Sequence, residues 1–241
     1  MSSRRYAELN ALRRAGLLPA ATAAALDGRD LNLETGTYAK HSVIFRQGDK
    51  PTRLCVLTLG RIELSCITPD GEIAITDLIQ PTRSLMLSSV FLDEVYPVQA
   101  KCLDEVRVVH MPAETFRRLV NTEHGVAVAA ARIAASDQAM SVGQITMLKT
   151  ETSLQRVCRY ILRLGGDADS GGAFKLPFGK REIAGFLGMN PATLSRHLAD
   201  IRGHGVNVVG SEVQVVDRTR LTSFLGEQRP PTRDNGNEPA N

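Results

Sequence analysis

At 241 residues, 43% hydrophobic and 23% charged, the chain is long enough for two domains with separate cores, and its composition excludes a disordered or fibrous protein. The net charge of +3 is unevenly placed: residues 1–148 carry 16 Lys+Arg against 16 Asp+Glu, 149–220 carry 11 against 7, and 221–241 carry 2 against 3. The positive excess therefore falls in the C-terminal third, where a surface that meets phosphates would need it.

From the N-terminus, Tyr6–Leu18 sets Leu9, Leu12 and the Leu17-Leu18 pair among arginines and predicts a surface helix ending before Pro19. Leu17–Leu26 is Ala-rich and follows arginines, but Asp27, Gly28 and Arg29 interrupt it, so a short amphipathic helix fits better than a signal peptide. Beyond Leu31 the pattern turns to short alternating or β-branched runs: Val43–Phe45, Leu54–Leu59, Ile62–Ile67, Ile73–Leu78, Val98–Cys102 and Val106–Met111. Gly48-Asp49, Gly60, Pro69-Asp70-Gly71 and Pro81 separate them as turns. Short strands at such regular spacing predict a β-barrel, sandwich or roll.

From Ala113 the period is helical, with Phe116, Leu119 and Val120 grouped before a break at Asn121-Thr122. A long helix is expected over Glu123–Lys149, where Val126, Ile133, Met140 and Met147 recur every seven residues with Ala129, Ser136 and Gly143 three positions on. Large residues facing small ones in a seven-residue seam suit two closely packed helices, so dimerisation is expected here; packing on the chain's own β-domain is the alternative. Gly143 costs roughly 1 kcal/mol relative to Ala inside a helix, which suggests a nearby partner backbone.

Thr150–Thr152 offers a new N-cap, and Leu154, Val157, Ile161 and Leu164 continue as an amphipathic helix up to Gly165-Gly166, with a hinge expected near Thr150 and a loop over Asp167–Gly172. Lys180–Leu187 is a short helix with Ile183, Ala184 and Leu187 on one face, stopped by Gly188. Asn190 then caps a second helix, Pro191–Arg202, and Pro191 suits its first position, where the missing N–H is not needed. Leu194, Leu198 and Ile201 form its packing stripe, while Ala192, Ser195, Arg196 and Ala199 face away. A helical hairpin inside a core would share this spacing. The β-hairpin that follows, Val206–Val209 and Val213–Val216 around Gly210-Ser211-Glu212, favours a winged helix-turn-helix that places the second helix in a DNA major groove. Arg218–Leu225 closes the domain, and Gln228–Asn241 reads as a disordered tail.

The four cysteines, Cys55, Cys66, Cys102 and Cys158, form no C-x-x-C pair, which excludes a zinc site or disulfide framework and points to reduced thiols in a cytoplasmic protein. No apolar run is long enough to span a bilayer. No nucleophile-and-base arrangement, paired-acid motif or Gly-rich phosphate loop argues for an enzyme.

The order of these parts, with Val43-Ile44-Phe45-Arg46-Gln47-Gly48-Asp49, Leu59-Gly60-Arg61-Ile62-Glu63-Leu64, Pro69-Asp70-Gly71-Glu72, Leu176-Pro177-Phe178-Gly179-Lys180-Arg181-Glu182-Ile183-Ala184 and Thr193-Leu194-Ser195-Arg196, resembles the cyclic AMP receptor and fumarate-nitrate reduction regulator (Crp/Fnr) family over nearly the full length. The resemblance implies an α+β fold: a cyclic-nucleotide-binding-like β-roll over 1–122, a dimerisation helix over 123–149, a winged helix-turn-helix over 150–226 and a disordered tail over 227–241. It implies a homodimeric transcription regulator bound to a palindromic double-stranded DNA site, with RNA polymerase as a further partner and no membrane attachment. It also implies DNA contacts at Lys180, Pro191, Ala192, Thr193, Ser195 and Arg196, although Ala192 stands where relatives carry a Glu that accepts from cytosine, so an altered or relaxed site is expected.

The effector pocket implied at Met86, Leu87, Val90, Tyr96 and Val98 departs from the cyclic AMP version. Met86-Leu87 replaces its Gly-Glu pair and Tyr96-Pro97-Val98 its Arg-Ser/Thr-Ala stretch, leaving the cyclic phosphate without charged partners. The first 54 residues lack cysteine, which excludes the N-terminal iron–sulfur cluster of the family's oxygen sensors. The apolar stretch that also includes Phe91 and Leu92 would suit haem or another hydrophobic ligand, with His41, His110, His124, His197 and His204 as available axial ligands, or else a filled core. A haem or small-molecule sensor with weakened DNA readout is the alternative function.

Overall fold

The computed structural model describes residues 3–20, 22, 31–165 and 173–227. The expected loop at 167–172, the tail from 228 onward, and residue 21 and residues 23–26 of the expected Leu17–Leu26 helix lie outside the described residues. Contacts divide the chain into two compact units, Met1–Gln144 and Ile145–Asn241.

The first unit begins with α1 (Ser3–Arg14), which turns Leu9 and Leu12 inward, followed by β1 (Glu34–Tyr38), β2 (Val43–Phe45), β3 (Arg53–Leu59), β4 (Ile62–Ile67), β5 (Ile73–Ile79) and β6 (Arg83–Leu85). A short helix, α2 (Leu87–Leu92), interrupts the strands before β7 (Gln99–Cys102) and β8 (Val106–Pro112). The strands form two antiparallel four-stranded sheets, β1-β8-β3-β6 and β2-β7-β4-β5. Leu54, Val56, Ile62, Leu64, Ile79 and Val108 belong to one hydrophobic core. In β3, Leu54 to Leu57 are all buried, so this strand is covered on both faces and reads as a continuous apolar run. The β3–β4 turn needs glycine: Gly60 has φ +86°, and a Cβ there would collide with the Glu105 carbonyl.

Sequence reading missed β1 and β6. Neither carries a continuous apolar run, and each is a strand because a neighbour pairs with it: β1 lies against β8, and β6 against β3. Between β1, β3 and β8 sits a polar cluster. Cys55 Sγ lies 3.3 Å from His110 Nδ1, and Tyr38 Oη lies 2.9 Å from His110 Nε2. Burial pushes the Cys55 thiol up to about 12, against a smaller opposing pull from Arg53. Burial also lowers the His110 pKa, with Arg53 adding to the effect and Glu34 opposing it.

After the roll come α3 (Ala113–Thr122), which buries Phe116 and Leu119, and α4 (His124–Thr150). Val126, Ala129 and Ala130 of α4 are buried, and Ile133 and Ala134 pack against the roll's core. Arg83 of β6 donates to Asp77 of β5 at 2.8 Å and to Asp137 of α4 at 3.0 Å, joining three elements through one guanidinium.

The second unit contains α5 (Ser153–Leu164), β9 (Ala173–Lys175), α6 (Lys180–Phe186), α7 (Pro191–Asp200), a 3-10 turn (Ile201–His204), β10 (Val206–Val209), β11 (Glu212–Val215) and α8 (Arg218–Glu227). Its sheet has the order β10-β11-β9, and β9, too short for a sequence signal, is held by pairing with β11. The division between units falls inside α4, before the hinge expected near Thr150.

A histidine whose native pKa lies below 6.5 binds its proton more readily once unfolded. The His110 contribution to roll stability is therefore full above pH 6.5 and declines as pH falls through the native pKa. The expected outcome is a roll unfolding temperature that drops between pH 7 and 5.5 in the native sequence, and a shallower drop in His110→Asn, measured by calorimetry at matched ionic strength.

Candidate nucleic-acid interface

The helix-turn-helix is built from local signals. In α6, Ile183 and Ala184 are buried, and Leu187 seals the helix end at 0% exposure. Gly188 follows at φ +65°, a left-handed position where glycine carries no Cβ penalty, and Met189 N donates back to the Ala184 carbonyl. Asn190 Oδ1 accepts from Thr193 N at 2.8 Å, and Pro191 occupies the first helical position of α7. The chain thus turns between two satisfied helix ends.

The underside of α7 is anchored by Leu194, Leu198 and Ile201, all buried. Pro191, Ala192, Ser195, Arg196 and Ala199 are exposed and Thr193 is half-buried, so every residue expected to contact DNA on this helix lies off its packing face. Lys180, at the start of α6, is also exposed. Arg196 makes no hydrogen bond or ion pair among the described residues, which leaves its five N–H donors available to a planar acceptor.

The helix expected to run to Arg202 ends instead at Asp200, where the 3-10 turn takes over and Gly205, at φ +84°, reverses the chain into β10. A Cβ at Gly205 would strike the Asp217 carbonyl. Gly205's own carbonyl accepts from Val216 N and Asp217 N, closing the base of the wing. Arg202 Nη2 donates to the Val208 carbonyl at 2.7 Å and braces the wing from the side. Val209 stands 75% exposed at the wing's tip, beside Gly210.

The first turn of α5 carries contacts that sequence reading missed. Arg156 donates to the Gly188 carbonyl in the turn, and Ser153 Oγ lies 2.8 Å from His197 Nε2 on α7. No short-range spacing reports either contact, because the partners lie 32 and 44 positions away.

In the roll, the residues expected to form an effector pocket come together as packing. Leu87, Val90, Tyr96 and Val98 are buried members of the core, with Met86 partly buried against it at a left-handed φ of 47°. Tyr96 stacks on Phe45 with ring centroids 3.9 Å apart, and burial raises its phenol pKa. Phe91 and Leu92 point out, at 46% and 59% exposure. Of the five histidines, His110 has both ring nitrogens engaged, His197 lies between Ser153 and Asp200, and His204 stacks on Phe224 at 3.6 Å. His41 and His124 are exposed.

The expected dimer seam divides. Val126 is 1% exposed and Ile133 packs on the roll's core, so these two side chains are occupied within the subunit. Met140 is 49% exposed and Met147 half-buried. The open apolar face of α4 lies opposite, along Val128, Ala131, Ala135, Val142 and Ile145. Gly143 has open space where a Cβ would stand. No described helix is long and apolar enough to cross a membrane.

Residues 35–123 match the cyclic nucleotide-binding domain, and residues 155–224 match the Crp-like helix-turn-helix domain; together they account for more than half of the chain. The transcriptional activator protein FnrA of Stutzerimonas stutzeri is 26% identical over 192 residues, 78% of each chain. A CRP-like cAMP-activated global transcriptional regulator of Mycobacterium tuberculosis is 22% identical over 215 residues, 87% of this chain and 96% of that one. FixK2 from Bradyrhizobium japonicum superposes with a TM-score of 0.71 at 18% identity, covering 82% of this chain and 98% of the other, which establishes the shared fold. With a roll, a long helix and a capped, winged helix-turn-helix in this order, the chain belongs to the Crp/Fnr family, a family of DNA-binding transcription regulators rather than enzymes.

Proposed function

We propose that this regulator is a homodimer that reads a palindromic DNA site through α7 of each subunit and does not depend on cyclic AMP. The observation that carries the reading is α7 itself, capped at Asn190, anchored by Leu194 and Leu198, and presenting Ser195 and Arg196 outward. An exposed guanidinium on the outward face of such a helix suits bidentate pairing with guanine O6 and N7. Thr193 and Lys180 are positioned for phosphate, and Pro191 and Ala192 for close apolar approach to the groove. Ala192 has no acceptor for a cytosine amino group, so base choice rests on Ser195 and Arg196.

The open face of α4 supports the dimer. Val128, Ala131, Ala135, Val142 and Ile145 follow alternating three- and four-residue steps around Gln138, the spacing two helices need to pack along their length. Val142 and Ile145 are each more than half exposed. A symmetric second copy would lay the same stripe against this one and cover both. Met140 and Met147 of the expected seam lie on the other side of the helix, in line with Val126 and Ile133, which serve the subunit's own core. Independence from cyclic AMP is supported by Leu87, Val90 and Val98, which fill the core with apolar side chains and offer a cyclic phosphate no charged partner.

Selection of bound sites from a pool of random duplexes is expected to recover a two-fold symmetric sequence; recovery of no preferred sequence would overturn the reading. On the recovered duplex, Arg196→Ala is expected to cost about 1–3 kcal/mol and to relax the preference at one position per half-site, as measured by titration at fixed salt. Val142→Asp with Ile145→Asp is expected to give monomers in sedimentation and to abolish tight binding of the full palindrome.

A further inference from the structure

Two helix ends meet at the first turn of α5. The C-terminal end of α4 leaves carbonyls without intrahelical donors. Glu151 N returns to the Met147 carbonyl, and Arg156 takes further ones: its Nη1 lies 3.4 Å from the Leu148 carbonyl and 3.3 Å from the Glu151 carbonyl. Its Nη2 reaches across to the Gly188 carbonyl, 3.2 Å away, in the turn of the helix-turn-helix. The two arms of one guanidinium thus hold the last turn of α4 and the turn between α6 and α7. Nε is buried without a partner among the described residues, so the head is held through its terminal nitrogens alone.

Three further observations make this a fixed joint. Leu148 packs on Gly188 so closely that a Cβ there would lie 2.9 Å from Leu148 Cδ2. The backbone that carries Arg156 is set by a reciprocal cap, in which Gln155 N donates to Thr152 Oγ1 at 3.3 Å and Thr152 N donates to Gln155 Oε1 at 2.8 Å. One residue on from that cap, Ser153 reaches His197 in the middle of α7, and His197 Nδ1 lies 3.4 Å from Asp200 Oδ2. The same turn of α5 therefore touches both the entry to α7 and its centre.

We infer that Arg156 is a positioning residue that, within the C-terminal unit, ties the last turn of α4 to the helix-turn-helix, so that α7 takes its orientation from that turn. The inference takes α7 as the reading helix, as proposed above. Arg156 spends its charge on carbonyl dipoles and is half-buried, so it acts on DNA binding through α7 and not by touching phosphate. Lysine cannot replace it fully, because a single ammonium does not span carbonyls on two elements.

The test is hydrogen exchange on the full chain without DNA, joined to titration of the duplex recovered above. In Arg156→Gln, the amides of Leu187–Thr193 are expected to exchange at least ten-fold faster, while those of the wing and the roll keep their rates; Arg156→Lys is expected to fall between. Affinity for the duplex is expected to drop about ten-fold with an unchanged dependence on salt, since no phosphate contact is lost. Unchanged exchange at Leu187–Thr193, or a rise spread evenly over the C-terminal unit, overturns the inference. So does a shallower salt dependence, which would make Arg156 a direct DNA contact. If Arg156→Gln does not fold, Leu148→Ala removes the apolar half of the same joint from a partly exposed position, and the same exchange pattern decides. If the native protein prefers no duplex, the DNA reading fails while the exchange measurement still judges the joint.

Discussion

A helix with apolar residues on two opposite faces can bury only one of them against its own small domain, and this constraint on α4 shapes the rest of the molecule. Val126, Ala129 and Ala130 are already inside the first unit, with Ile133 against its core, and the Arg83 guanidinium fastens the same helix through Asp137. The opposite stripe, from Val128 to Ile145, stays open. Burying apolar area is worth about 25 cal/mol per Å², so covering Val142 and Ile145, each more than half exposed, favours pairing with a like surface. The proposed symmetric pair follows from that force, and with it two reading helices related by one axis.

Helix ends carry the second layer of organisation. Each α-helix leaves donors at its start and acceptors at its finish, and in the second unit these groups are satisfied by neighbours with a direct bearing on α7. Asn190 meets a donor at the start of α7, the Thr152–Gln155 pair meets donors at the start of α5, and Arg156 meets the Leu148 acceptor at the finish of α4. A cap is worth about 1 kcal/mol, small beside the core but directional where the core is not. Apolar burial by Ile183, Leu187, Leu194 and Leu198 holds the helices together, and the caps fix where each begins.

The roll keeps the family's fold around an apolar interior. Leu87, Val90, Tyr96 and Val98 join the core, and Phe45 stacks on Tyr96. In the first sheet His110 stands between Cys55 and Tyr38 with both ring nitrogens engaged. Burial that raises the thiol and lowers the imidazole keeps both neutral, which is how such a cluster is tolerated between strands.

The sequence alone determined the class of fold and the helix-turn-helix, because the signals involved act within a few residues. Gly188 stops one helix, Asn190 and Pro191 start the next, the spacing of Leu194, Leu198 and Ile201 assigns its faces, and the valine runs around Gly210 mark the wing. Tertiary structure decided what depends on partners distant in the chain. The short strands β1, β6 and β9 exist through pairing with β8, β3 and β11, and the side chains at 87, 90, 96 and 98 are core because the two sheets close over them. A seven-residue repeat reports that α4 has apolar faces but not which one its own domain will cover; only the roll beside it settles that Val126 turns inward and Val142 outward. Arg156 lies beyond local reading for the same reason, since the Gly188 carbonyl it holds is adjacent in space and remote in sequence.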